Sequence, residues 1–378
     1  MLTSFTAQNF RQFTKLEIPQ LNRVNLFVGR NNAGKSALLE AIEVYVSNAS
    51  FQTLINIVSA REETWGGSAR PGDASPPSNE VFRHLFKGHQ LPSIDEKGII
   101  VGPLNRPNDQ LQVAIAAYRT FEKEGGFQRL KVDPTQYLFP QDEAIELDLE
   151  LDLVAIEAGK TRSIIGLNRS RPYNSIARND TESRLPVQVV PTKSISAAKV
   201  AALWDVIGLT DLSNEVISGL KLIEPAILDI AFVKAIGQYF RSTEREHRIP
   251  LARLANQLSP LPLSSMGDGI TRLFHITLAL VNAKRGVLLV DEFENGLHWS
   301  VQEKVWETVF QLAERLDVQV FATTHSRDCV QAFQAAWERY PNQGAYYRME
   351  ADSQGEVQAR RYSLDTLADS IATDVETR

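Results

Sequence analysis

The chain has 378 residues, 43% hydrophobic and 23% charged, with 46 Asp and Glu against 40 Lys and Arg. Such a chain can bury a full core, as one large unit with an inserted lobe or as two domains. No apolar run approaches the roughly 18–20 residues of a membrane span, and no basic-then-apolar leader opens the sequence. The net charge of −6 lacks the basic excess that nucleic-acid binding usually shows. The expected compartment is therefore the cytoplasm, with no membrane partner.

In chain order, the first chemical signal is the strand Val24-Asn25-Leu26-Phe27-Val28, which leads into Gly29-Arg30-Asn31-Asn32-Ala33-Gly34-Lys35-Ser36 and then an apolar-periodic helix, 37–46. Strand, G-x-x-x-x-G-K-S and helix make the context in which backbone N–H groups turn onto a polyphosphate. Gly29, Asn31, Asn32, Ala33 and Gly34 would line that cradle, Lys35 would neutralise the terminal phosphates, and Ser36 would offer its hydroxyl to Mg²⁺.

The middle of the chain carries less chemistry. Residues 65–79 read as a Gly/Pro-rich loop. The run 145–153 alternates apolar and acidic residues, which predicts a strand with a solvated acidic face, because a flat row of carboxylates does not converge on a Ca²⁺ ion. A turn at 157–160 returns it as a hairpin over 161–167. Lys160, Arg162, Arg169, Arg171, Arg178 and Arg184 form the densest basic scatter. With only Tyr173 interleaved, they read as solvated surface rather than a base-stacking groove. From 197 to 240 the spacing predicts helix, with Val200, Leu203, Trp204 and Ile207 on one face.

Chemistry returns at Leu263-Ser264-Ser265-Met266-Gly267-Asp268-Gly269, a Gly-rich start to a predicted helix over 270–283. Next comes Val287-Leu288-Leu289-Val290-Asp291-Glu292, a buried strand delivering two acids at its carboxyl edge. Asp291 would hold Mg²⁺ directly or through water, and Glu292 would orient the attacking water. A last apolar strand, 318–322, runs into Thr323-Thr324-His325-Ser326, which brings an imidazole to the same edge for contact with a γ-phosphate. Cys329, the single cysteine, is expected to be a small buried residue with no disulfide or zinc role. Segments 345–349 and 357–362 read as two finishing strands.

Together with Asn9-Phe10-Arg11-Gln12-Phe13 and Glu294-Asn295-Gly296-Leu297-His298, these motifs resemble the stand-alone ATPases of the overcoming-lysogenisation-defect (OLD) group. That group lies in the ABC-type branch that also holds RecF and chromosome-maintenance heads. The resemblance implies an α/β P-loop NTPase head of ABC type with an inserted antiparallel β portion and a helical lobe. Its divisions would be 1–195 (first part of the head), 196–262 (helical lobe) and 263–378 (second part).

By the same resemblance, Ser265 and Gly267 face the nucleotide of a second subunit, giving a homodimer closed by two ATP molecules. Arg11 approaches the nucleotide, and 294–298 carries signals between heads. The usual lever-loop glutamine is not placed among Gln52, Gln90, Gln110 and Gln112. The implied role is an ATP-hydrolysing regulator or sensor in nucleic-acid metabolism, in prokaryotic defence against mobile elements. DNA or RNA contact is a family expectation only. About 53 residues follow His325, fewer than the Toprim nuclease domain of OLD nucleases would need, so a separate effector such as a Toprim-type nuclease is expected. The alternatives are a nuclease acting on its own and a nucleotide-gated scaffold with negligible turnover.

Overall fold

The computed structural model describes residues 1–63, 79–94, 96–123, 126–132, 149–167, 182–234 and 248–373. The first elements are a hairpin, β1 (Phe5–Phe10) and β2 (Phe13–Ile18), followed by β3 (Val24–Val28), α1 (Lys35–Val46) and α2 (Phe51–Ala60). Antiparallel strands follow: β4 (Ile99–Gly102), β5 (Leu111–Lys123), β6 (Gly126–Val132), β7 (Glu150–Glu157) and β8 (Lys160–Gly166). They extend the hairpin into one sheet of order β2-β1-β4-β5-β7-β8, with β6 on β5.

The chain then enters a second sheet through β9 (Val187–Val190), leaves it for α3 (Ala197–Ile207) and α4 (Leu212–Leu220), and forms β10 (Ile227–Lys234), β11 (Arg248–Leu254) and β12 (Leu261–Pro262). The remainder is α5 (Asp268–Asn282), β13 (Val287–Val290), α6 (Trp299–Arg315), β14 (Gln319–Thr324), α7 (Arg327–Arg339), β15 (Gly344–Ala351), β16 (Val357–Tyr362) and α8 (Leu364–Ala372). The second sheet runs β16-β15-β3-β14-β13-β9, parallel except for the β15–β16 pair.

This parallel sheet is the middle layer of the molecule. Successive residues of a strand face opposite sides, and both sides of β13 are buried. Leu288 and Val290 pack with the helical cluster of α5, α6 and α7, while Val287 and Leu289 pack with α1 and the antiparallel sheet. A strand buried on both faces needs an unbroken apolar run, which is what 287–290 supplies. The fold is therefore mixed α/β with an inserted antiparallel sheet and a helical lobe.

Two expectations need correction. The helical pattern holds through α4, but Ile227–Lys234 is a strand paired with β11, so the lobe is helical only in its first half; residues 235–247 lie outside the described part. The acidic face of the alternating strand is not uniformly solvated. Asp152 is buried and accepts two bonds from the Arg129 guanidinium at 2.6 and 2.7 Å, plus one from Ser163 Oγ. Arg129 also stacks on Tyr118, 4.1 Å from its ring centre. A fork-shaped cation can neutralise a buried carboxylate in this way, and a strand pattern cannot reveal it.

Residues 145–148, the loop expected at 65–79 (all but Asn79), and Arg169, Arg171, Tyr173 and Arg178 also lie outside the described residues. Of the remaining basic scatter, Arg162 donates to the Asn48 carbonyl at 2.6 Å, and Arg184 pairs with Glu157 at 2.5 Å while lying 4.5 Å from the Tyr45 ring centre. The hairpin is as expected, with Glu157 opposite Lys160, and 345–349 and 357–362 fall in β15 and β16. Cys329 is buried on α7, where desolvation pushes its thiol far up. Among the described residues no helix is long and apolar enough to cross a membrane.

Candidate nucleotide site

The parallel strands β3, β14 and β13 end side by side, so three loops meet at one carboxyl edge. After β3, the chain wraps Gly29–Ser36 around a buried Lys35, whose Nζ donates to the Gly29 carbonyl at 2.7 Å and the Arg30 carbonyl at 2.9 Å. Burial lowers the Lys35 pKa, while Asp291, Glu292 and Glu294 hold it up. A polyphosphate oxygen can replace either carbonyl as the acceptor.

Gly34 precedes α1 at φ 88°, and a Cβ there would meet the Phe13 ring at 2.7 Å, so both conformation and space call for glycine. The turn between β1 and β2 thus lies on the loop. Gln12 Nε2 donates to the Asn32 carbonyl at 3.1 Å. Arg11, expected near the nucleotide, is instead committed to carboxylates: it pairs with Glu40 of α1 and, at 2.8 Å, with Glu63. Its neighbour Gln12 is the residue that touches the loop.

At the end of β13, Asp291 is the hub. Its Oδ2 accepts from Ser36 Oγ at 2.8 Å and Thr192 Oγ1 at 3.1 Å, and its Oδ1 from Thr323 Oγ1 at 2.6 Å. Glu292 follows in the left-handed region at φ 49°, with its N–H on Thr323 Oγ1 at 2.9 Å. A non-glycine residue held there costs free energy, and here the conformation turns the chain sharply just past the strand.

Ser326 caps α7 by accepting from the Cys329 N–H, which ends β14 and leaves His325 at the sheet edge. Its Nδ1 lies 3.7 Å from Glu292 Oε1 and 3.3 Å from Glu294 Oε1. The predicted Lys35, Ser36, Asp291, Glu292 and His325 are therefore assembled around one edge.

The oxygens of Ser36 and Asp291 are hard donors of the kind Mg²⁺ prefers. Among the described residues no group of three His, Cys, Asp or Glu is placed to cage a metal. Few protein ligands, completed by water and phosphate oxygens, is the usual arrangement for Mg²⁺ at a nucleotide, so the residues fit that ion.

Thr192, Thr323 and Arg272 were not legible as site residues. Thr192 follows the apolar strand β9 by two positions, the same strand-end signal that located Asp291. Arg272 sits within amphipathic α5, where spacing says nothing special. It is buried and donates to the carbonyls of Pro191 (2.6 Å), Asp291 (2.6 Å) and Glu292 (2.8 Å), and desolvation pushes its pKa down to about 10 against the pull of the three acids. Replacing Arg272 with Leu leaves these carbonyls without their donor and should cost about 3 kcal/mol or more. A urea midpoint lowered at unchanged slope would check this; an unchanged midpoint would refute it.

Ser265 is exposed, with its Oγ on the Pro262 carbonyl at 2.7 Å. Gly267 has φ 104°, and nothing lies within 4 Å of the position a Cβ would take. Both thus sit on open surface at the start of α5 rather than against the loop 29–36. Gly269, the second residue of α5, lies close to the Gly296 carbonyl and joins α5 to segment 294–298.

Two family models match the parts of the chain that hold these residues. Residues 1–123 match the family model described as an AAA ATPase domain, and residues 220–328 match the one described as "AAA domain, putative AbiEii toxin, Type IV TA system". The chain carries a P-loop ATPase domain. Its two matched parts hold the two halves of the edge just described.

A Helicobacter pylori protein named ATP/GTP phosphatase is 22% identical to the chain over 354 residues, covering 88% of this chain and 87% of that protein. Among solved structures, the Smc head bound to the C-winged helix domain of ScpA is 13% identical, covers 97% of this chain and 99% of its own, and gives a TM-score of 0.49. The Pyrococcus furiosus Smc head with an extended coiled coil is 12% identical, covers 100% and 99%, and gives 0.47.

Proposed function

We propose that the ATPase domain binds ATP with Mg²⁺ at Gly29–Ser36 and hydrolyses it. The observation that carries this reading is the 2.8 Å contact between Ser36 and Asp291, which sets the phosphate-loop hydroxyl and the strand-end carboxylate side by side. Ser36 and Asp291 would hold the ion, which when bound offsets charge on the β- and γ-phosphate oxygens. Lys35 would move its ammonium from loop carbonyls to phosphate. Glu292 would orient the water, and His325 would meet the γ-phosphate. Catalysis of this kind is positioning plus electrostatics, which suits side chains already fixed by strand ends and hydroxyl bonds.

The Helicobacter relative's name covers both ATP and GTP, so both nucleotides belong in the test. Phosphate release by the purified chain should require Mg²⁺ and be abolished by EDTA. Release from neither nucleotide, with nucleotide demonstrably bound, would refute hydrolysis.

We further propose an ABC-type head that dimerises on ATP through Ser265 and Gly267, divided as 1–195, 196–262 and 263–378. It would act as a regulator or sensor in prokaryotic defence, with a separate effector. The exposed Ser265–Gly267 surface and the toxin–antitoxin description of the matched model support that reading. The purified chain should leave plasmid DNA intact with Mg²⁺ and ATP; cleavage abolished by an acidic substitution outside the nucleotide site would overturn the separate effector.

A further inference from the structure

A cavity of about 630 Å³ opens beside the nucleotide edge and extends away from it along α1. It runs between α1, α2 and the segment after β9, with Ser36 and Asp291 in its lining. Leu39, Ile57, Val189, Ile195 and Leu289 supply apolar wall. Ser36, Leu39, Glu40 and Glu43 share one face of α1, so Glu43 stands two turns, roughly 10 Å, along the helix from Ser36. A volume of this size suits a small organic ligand.

The charges in the lining are unequal in their pairing. Glu40 is bonded by Arg11 and by Arg61 at the end of α2. The Glu43 carboxyl has no hydrogen bond or ion pair among those described. The groups facing it are Glu40 on its own helix and Lys199 on α3, with Arg61, Lys193 and Asp291 elsewhere in the lining. Lys193 and Lys199 are exposed. An apolar chamber with one half-buried, unpaired carboxyl lacks one positive charge on an apolar body.

We propose that this cavity binds a small organic cation, an alkyl- or arylammonium, with its charge on Glu43 and its apolar body against α1, α2 and β9. Burial, then Glu40, push the Glu43 pKa from 4.5 up to about 7, so the ammonium binds the ionised form and displaces a proton near neutrality. The wall segment 191–196 carries Thr192, which bonds Asp291, and the Thr192 carbonyl accepts from Asn295 Nδ2 at 2.8 Å. Occupancy is thereby felt at the nucleotide edge; only that coupling rests on the ATPase reading.

The test uses calorimetric titration of the nucleotide-free chain with n-hexylammonium, n-hexanol and hexanoate. Hexylammonium should bind about tenfold more tightly at pH 8 than at pH 6, because Glu43 passes from one-tenth to nine-tenths ionised while the amine stays charged. Hexanol and hexanoate should bind at least tenfold more weakly. Glu43→Gln should lose tenfold or more in affinity along with the pH dependence, and Ala60→Phe, from the exposed end of α2, should block the cavity with Glu43 intact.

Folding of both variants is checked by melting. A raised carboxyl pKa means that ionising Glu43 costs stability as pH rises from 4.5 through 7, so Glu43→Gln should melt at or above the wild-type temperature at pH 8. Absence of hexylammonium binding, equal binding of hexanol, tighter binding of hexanoate, or wild-type affinity in Glu43→Gln would each overturn the proposal. All are read without nucleotide and stand apart from any failure of ATP hydrolysis.

Discussion

Replacing Glu292 with Gln is expected to leave ATP binding intact and lower phosphate release by about a hundredfold or more, the usual scale for losing a positioned base. Glu292 is only partly buried at the end of β13, and its backbone N–H already satisfies Thr323, so the amide fits without disturbing the strand. Lys35→Ala should behave differently. Lys35 is buried within the loop it closes, and its loss removes the charge meant for phosphate together with the donor that organises Gly29 and Arg30. Binding itself should then fail. Equal turnover of Glu292→Gln and wild type in a phosphate-release assay would remove Glu292 from the mechanism, and unchanged ATP affinity in Lys35→Ala would remove Lys35.

Mixing two dead chains should restore activity if the site is completed across a dimer. In a chain with Ser265→Arg, the bulky cation blocks the face it offers, while its own Lys35 is intact. A Lys35→Ala chain lacks the phosphate cradle but keeps a normal Ser265. A heterodimer of the two has one composite site with both groups native, so an equal mixture should recover about a quarter of wild-type turnover for a two-fold dimer. Ser265 and Gly267 make that geometry possible because they are exposed on open surface at the start of α5, with no described contact to their own loop. Two results together would sink the model: a mixture as inactive as either parent, and Glu292→Gln remaining monomeric in ATP by light scattering.

Much of the nucleotide edge was legible because it is built from short sequence-local units. Val24–Val28 and Val287–Val290 are apolar runs buried on both faces, and each is followed at once by its polar groups, so strand, edge and chemistry are adjacent in sequence. The sequence by itself therefore determined the α/β class, the position of the glycine-rich loop 29–36 after its strand, the strand-end acids Asp291 and Glu292, the strand-borne His325 and the two finishing strands.

Tertiary structure decided what depends on distance in sequence. Arg11 turned to Glu40 and Glu63, partners 29 and 52 positions away, because a buried guanidinium must be neutralised by whatever carboxylates the fold brings near it. Asp152 was buried rather than solvated because Arg129 reached it from β6, a strand that pairs with β5 and not with β7. Strand β10 replaced predicted helix because pairing with β11 outweighed local periodicity. Thr192 and Arg272 joined the edge through tertiary contacts, among them those to Asp291, 99 and 19 residues distant. The cavity beside α1 likewise exists only once three separate segments pack and leave Glu43 without a partner, since a void and an unmet charge are properties of assembled surfaces, which no residue pattern encodes.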